Sequence, residues 1–210
     1  RTFIPTPTQV LFLRDYYTPI ISFMSAVNQG KSASMPAKCM YNARMQHPDE
    51  YGNRSTSIPI IRGTQSQLLD TTVKAFREWL SEDLLPIRRT QPIEGFILGD
   101  MFPNGTMIQS HLRFMALDSL TWEGDLLSTN FSFAGIDEAD QIEDLEKKLP
   151  IISGRLGRSP SADVAPCTSS QIFMCYNPPD MGSFLEKFHR PQYASQGRAI
   201  YRVPPPLIKI

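Results

Sequence analysis

The chain has 210 residues with 41% hydrophobic and 20% charged side chains, which suits a globular fold with a sizeable core and excludes a disordered chain. Its 21 Lys+Arg balance 21 Asp+Glu, so the formal net charge is zero and a dedicated nucleic-acid binder is not indicated. Three cysteines (Cys39, Cys167, Cys175) are too few for a disulfide framework, and no apolar run reaches the ~20 residues that a membrane-spanning helix needs.

The charge is unevenly spread. Residues 1–60 carry six Lys/Arg against three Asp/Glu, residues 91–150 three against eleven, and residues 151–210 seven against three. Basic ends and an acidic middle allow charge-complementary contact between copies of the chain or with neighbours, and equally suit an ordinary solvated surface. Proline follows the same division: six of the 18 lie in residues 1–60 and eight in residues 151–210. Because proline lacks an N–H and blocks helix interiors and central strands, the ends are expected to be extended and irregular. Regular structure is then expected between them.

The first segment, 1–62, reads as an N-terminal arm followed by irregular chain. Within it an apolar run (Ile20, Ile21, Phe23, Met24) leads into Gly30-Lys31-Ser32, the last three letters of a phosphate-binding G-x-x-x-x-G-K-[ST] loop. Ser25 takes the place of the first glycine. Such a loop needs a helix starting at the lysine, with the phosphates on its N-terminus. Pro36 falls inside that helix and predicts its failure. A serine at the first position adds a steric objection, and no βαβ pattern surrounds the stretch. The expectation is a Gly-Lys-Ser turn, with Asp100 of "FILGD" as the carboxylate a metal would otherwise use. Further on, His47, Asp49 and Glu50 in "QHPDEYGN" could join Glu146 and Lys148 in a nuclease-like set. A Pro-Asp before Tyr-Gly is also ordinary turn chemistry.

The middle segment, 63–150, carries the expected core. Thr64 with Gln67 predicts a capping box, and Leu69, Val73, Phe76 and Leu80 at helical spacing predict a helix over 65–84, ended by Pro86. "EGFILGD" reads as a strand, and Asn104-Gly105 in "FPNGT" as a hairpin turn. "MIQSHLRFMAL" alternates as a second strand, with Ile108, Leu112 and Phe114 opposite Gln109, His111 and Arg113. "LLSTNFSF" alternates as a third, with Leu127, Thr129, Phe131 and Phe133 on one face. A second helix is expected over 137–149, with Ile136, Ala139, Ile142, Leu145 and Leu149 as its apolar stripe. The acids of 137–144 would favour the dipole at its start.

The last segment, 151–210, reads as loop, a strand at "QIFMCYN", a short helix at "MGSFLEKFH" and a C-terminal arm. Arg155 and Arg158 flank Ser159-Pro160 as a candidate phosphate contact. Cys167, Cys175 and His189, with Cys39, could gather around zinc, but the paired C-x-x-C of such sites is missing. Asn53, Asn104 and Asn130 head Asn-x-Ser/Thr triplets, which arise often by chance.

The expected fold is therefore α+β: an antiparallel β-meander packed with two amphipathic helices and flanked by long Pro-rich extended arms. No catalytic, cofactor-binding or metal residue is assigned, and no cofactor is called for. Apolar side chains in the arms (Phe3, Ile4, Phe12, Tyr16, Tyr17; Tyr193, Tyr201, Leu207, Ile208, Ile210) need cover from a neighbour. The expected function is thus a non-enzymatic structural subunit of a large assembly, first a viral capsid or capsid-stabilising protein and next a subunit of an organellar complex. A nucleotide- or metal-dependent enzyme is the alternative of another class. Expected partners are neighbouring protein subunits, including copies of itself, with no dedicated nucleic-acid site and no membrane span.

Overall fold

The computed structural model describes residues 2–26, 29–83, 85–88, 93–99, 102–160, 164–188, 190 and 197–203. Chain order runs α1 (Pro7–Arg14), β1 (Ile20–Met24), α2 (Lys31–Met45) and β2 (Asn53–Arg62). A continuous helical stretch follows: α3 (Gln65–Gln67), a π-helical segment (Leu68–Val73) and α4 (Lys74–Trp79). Then come β3 (Ile87–Arg88), β4 (Ile93–Gly99), β5 (Met107–Ala116), α5 (Trp122–Leu127) and β6 (Ala134–Asp137). The chain closes with α6 (Leu145–Ser153), β7 (Ile172–Tyr176), α7 (Phe184–Phe188) and β8 (Arg198–Arg202).

Eight strands form one sheet in the order β3-β4-β5-β2-β6-β7-β1-β8. The pairs β5–β2, β2–β6, β6–β7, β7–β1 and β1–β8 are parallel, and only β3–β4 and β4–β5 are antiparallel. This is a mixed, mostly parallel α/β sheet, and the expected antiparallel meander is wrong. The physical reason lies in burial. β7 is buried along its whole length, Ile172, Met174 and Tyr176 facing one core and Phe173 and Cys175 the other. A strand covered on both faces shows no polar alternation. β5 does alternate, with Ile108, Ser110, Leu112 and Phe114 buried, and its antiparallel pairing with β4 is the part of the meander that exists.

Helices cover both faces. α1, α2 and α4 pack with Phe12, Met35, Cys39 and Phe76 on one; α6 and α7 bring Leu145, Leu149, Ile152 and Phe188 to the other. Gly135 of β6 sets the closeness of the sheet to α2, because a Cβ there would lie 2.8 Å from Met35 Sδ and from the Phe173 ring.

The described parts of the segments read as arms belong to this body. Thr6 and Gln9 cap α1 reciprocally, and Phe12 is fully buried. β8 adds to β1 in parallel, and Tyr201 donates to Asp15 Oδ2 at 2.7 Å. The sheet takes strands from all three sequence segments. Tyr193, Leu207, Ile208 and Ile210 lie outside the described residues.

Two middle elements also differ. "LLSTNFSF" is the end of α5 and a loop, not a strand, although Phe131 and Phe133 are buried. The helix expected over 137–149 divides. Asp137 ends β6, Glu138 adopts a left-handed conformation (φ 45°), and α6 begins only at Leu145.

Candidate functional site

β1, β2, β6 and β7 are parallel, so their C-terminal ends share one edge of the sheet. In open α/β sheets ligands bind outside that edge. Four chemistry-bearing groups meet there.

The first is the loop after β1. It runs from Ser25 to Gly30 and delivers the chain into α2, a helix of 15 residues that begins at Lys31. Val27 and Asn28 lie outside the described residues. Gly30 precedes the helix at φ 86°, a left-handed conformation that favours glycine, and a Cβ there would displace the Gln9 side-chain amide, which lies 2.6 Å from that position. The objections raised from sequence fail. α2 continues through Pro36, whose cost of roughly 3 kcal/mol is offset by burial of Met35, Pro36, Cys39 and Ala43. Ser25 is not strained, since Glu138 and Asp144 are the non-glycine residues with positive φ among those described.

Lys31 lies across this loop. Its Nζ donates to Ser25 O at 2.7 Å, Ala26 O at 2.8 Å and Asn177 Oδ1 at 2.8 Å. Burial lowers its pKa, against the pull of Glu138, Asp140 and Asp137. Ser32, the next residue, is exposed.

The second and third groups are the acids at the end of β6 and the arginine at the end of β2. Arg62 is 3% exposed and bonds Asp137 Oδ2 at 2.9 Å and Glu138 Oε2 at 2.6 Å. Thr72 of the π-helical segment donates to the same Asp137 Oδ2 at 2.6 Å. Burial raises the Glu138 pKa, and the neighbouring Asp137 and Asp140 add to it, while Arg62 and Lys31 oppose it. The fourth group is Asn177, just past β7, which joins Lys31 to Asp140 through bonds of 3.3 and 3.4 Å. A loop leading into a helix at Lys31, a strand-end carboxylate beside a second acid, and a polar residue just past the intervening strand thus lie at one edge of the sheet.

The fold resembles that of phage large terminases. The chain superposes on the large terminase of a thermophilic bacteriophage with a TM-score of 0.68 at 10% identity, over 93% of this chain and 45% of that one. The Thermus phage P74-26 large terminase ATPase domain gives 0.59 at 12%, over 95% and 81%. The bacteriophage HK97 large terminase gives 0.61 at 12%, over 97% and 40%. The chain therefore spans less than half of the first and the last of these proteins. No family model and no curated protein matches it.

The terminase-like fold contradicts the reading of a non-enzymatic capsid or capsid-stabilising subunit, because the solved structures it resembles are large terminases, one of them described as an ATPase domain. That reading rested on arms whose described parts, α1 and β8 among them, pack into the fold.

The other residues singled out in the sequence do not assemble. Asp100 lies outside the described residues, and β4, which precedes it, is separated from β1 by β5, β2, β6 and β7. Asp49 accepts the backbone N–H groups of Tyr51 and Asn53 at 2.9 and 2.8 Å, which is the turn chemistry. Glu146 and Lys148 sit on α6. Arg155 is held by Thr129 O and Asn130 Oδ1, each at 3.0 Å. Burial raises the pKa of all three cysteines, His189 is outside the described residues, and among those described no three His, Cys, Asp or Glu side chains cluster for a metal. Nor is any described helix long and apolar enough to cross a membrane.

Sequence reasoning missed Arg62, Thr72, Asp137, Glu138 and Asn177. For the acids a signal existed: "FSFAGIDE" is an apolar run closing on two carboxylates, as a buried strand entering a site would.

Proposed function

We propose that this chain is an ATP-hydrolysing domain of a terminase-type enzyme that drives DNA packaging. The observation that carries the reading is α2 starting at Lys31 straight after β1, with the Asp137–Glu138 pair beside it. The free N–H groups of that helix end suit a phosphate. Lys31 exchanges its loop carbonyls for phosphate oxygens, and Glu138, its carboxyl raised by burial, takes the proton of the attacking water as the phosphoanhydride breaks. Ser32 and Asp137 offer a hydroxyl and a carboxylate, the hard oxygen donors that magnesium prefers, so the residues fit that ion. Held by Ser32 and Asp137, the ion would supply positive charge against the phosphate oxygens. On this reading DNA and other components of the packaging machine are partners, against the expectation of no nucleic-acid site. The balanced charge argues that DNA contact comes from local groups, not from a net positive field.

Wild-type chain is expected to bind a fluorescent ATP analogue with magnesium and to release phosphate from ATP. Lys31→Ala should abolish binding. Glu138→Gln should keep binding and lower hydrolysis by roughly 10²–10⁴-fold, the span of general-base contributions. Unchanged binding by Lys31→Ala would overturn the proposal.

A further inference from the structure

We infer that Thr72 is a positioning residue for the metal carboxylate Asp137. The inference rests on the nucleotide reading above. Two groups, Thr72 Oγ1 and Arg62 Nη1, bond Asp137, and both use Oδ2, at 2.6 and 2.9 Å. A carboxylate pinned at one oxygen from two sides has its plane fixed, and its Oδ1 is the oxygen left to offer to a metal. Partners that orient a ligating carboxylate commonly govern metal affinity by 10–100-fold.

The helical face read from sequence carries Leu69, Val73 and Phe76, and Thr72, three residues after Leu69 and four before Phe76, falls at the edge of that face. In the structure Leu69 is 42% exposed, while Leu68, Thr72 and Val73 are all buried. Within the π-helical segment Thr72 and Val73 both lie inward, Val73 in the core and Thr72 on Asp137. Such turns are rare and concentrate at functional sites. Arg62 cannot replace the threonine: its Nη2 is already committed to Glu138, and its buried Nε finds no acceptor among the described residues.

The test is metal dependence of nucleotide binding, read without turnover. Affinity for N-methylanthraniloyl-ATP is titrated by fluorescence against magnesium and against EDTA, in wild type, Thr72→Val and Thr72→Ser. Thr72→Val keeps the side-chain volume and removes the donor. It should require at least tenfold more magnesium for half-maximal enhancement, with affinity in EDTA unchanged, and Thr72→Ser should restore the wild-type requirement. Two results overturn the inference: an unchanged magnesium requirement in Thr72→Val, or equal loss with and without the metal, which marks a merely structural role. If wild type itself shows no nucleotide binding, the nucleotide reading falls and takes this one with it.

Discussion

Lys38 is fully buried on α2, and its Nζ donates to the carbonyls of Phe12, Leu13 and Asp15 at 3.1, 2.9 and 2.6 Å. These carbonyls end α1 and have no partner within it, so a cation is doubly suited to them. Burial nevertheless pushes the Lys38 pKa down to about 7, more than the Asp15 charge restores. The folded chain then releases this proton near 7, whereas the unfolded chain keeps it up to the ordinary lysine range. Between those limits the unfolded state binds more protons, so stability rises with pH; below about 7 both states are protonated and the slope vanishes. Melting temperature measured from pH 6 to 9 should show this rise in wild type and a flatter profile in Lys38→Met. Parallel profiles would contradict the assignment. Nothing in the sequence marks Lys38, because its acceptors are backbone groups from another element. Asp137 and Glu138 were hidden differently: acids ahead of an apolar stripe satisfy a helix N-terminus as well as a strand end, and only the left-handed turn at Glu138 separates the two.

At the scale of elements, local rules were legible wherever one tertiary partner decided the outcome. Thr64 accepts from Gln67 N as a capping residue, although the Gln67 amide reaches Gln141 Oε1 at 3.1 Å instead of closing the box. Asn104-Gly105 turns the β4–β5 hairpin, with Gly105 at φ 79°. Local rules failed where burial overrode them, as at Pro36 inside α2 and Pro150 inside α6. The expected helix from Thr64 stops at Trp79, short of Pro86, with Leu80 already extended. Phe76 of its apolar stripe is fully buried and meets Phe114 edge-on at 5.3 Å between ring centroids. Phe76→Ala should therefore cost about 3–5 kcal/mol in denaturant unfolding, the range for aromatic truncation in cores. A loss below about 1 kcal/mol, under that range, would mean that α4 is not anchored through this ring.

Over the whole molecule the sequence signals pointed to ends that need cover, and the error lay in where the cover comes from. Period-two and period-3.6 patterns describe neighbours along the chain, but the pairing of β1 with β8, some 180 residues apart, is not a periodicity. The C-terminal segment shields the strand that carries the phosphate-loop candidate. Gly197 O accepts from Ile20 N at 3.1 Å, Val203 N donates to Met24 O at 3.0 Å, and Tyr201 packs on Phe12 while bonding Asp15. Ala199, Tyr201 and Val203 lie half-buried against the core. Removing residues 197–210 would expose those surfaces and leave one side of β1 unpaired. At ~1.5–3 kcal/mol for each fully buried large side chain, the half-burial of Tyr201 and Val203 alone contributes on the order of 2–3 kcal/mol. The lost ladder bonds add to this, a large share of the roughly 5–15 kcal/mol that holds a typical domain. A chain ending at residue 196 should melt well below the full chain, and its nucleotide affinity should fall with it, because Ser25 and Lys31 are positioned by β1. Calorimetry and fluorescent-nucleotide titration on the same preparation provide the check. A truncated chain with wild-type melting and binding would mean that β8 is an accessory edge, and that β7 and α2 alone hold the loop in place.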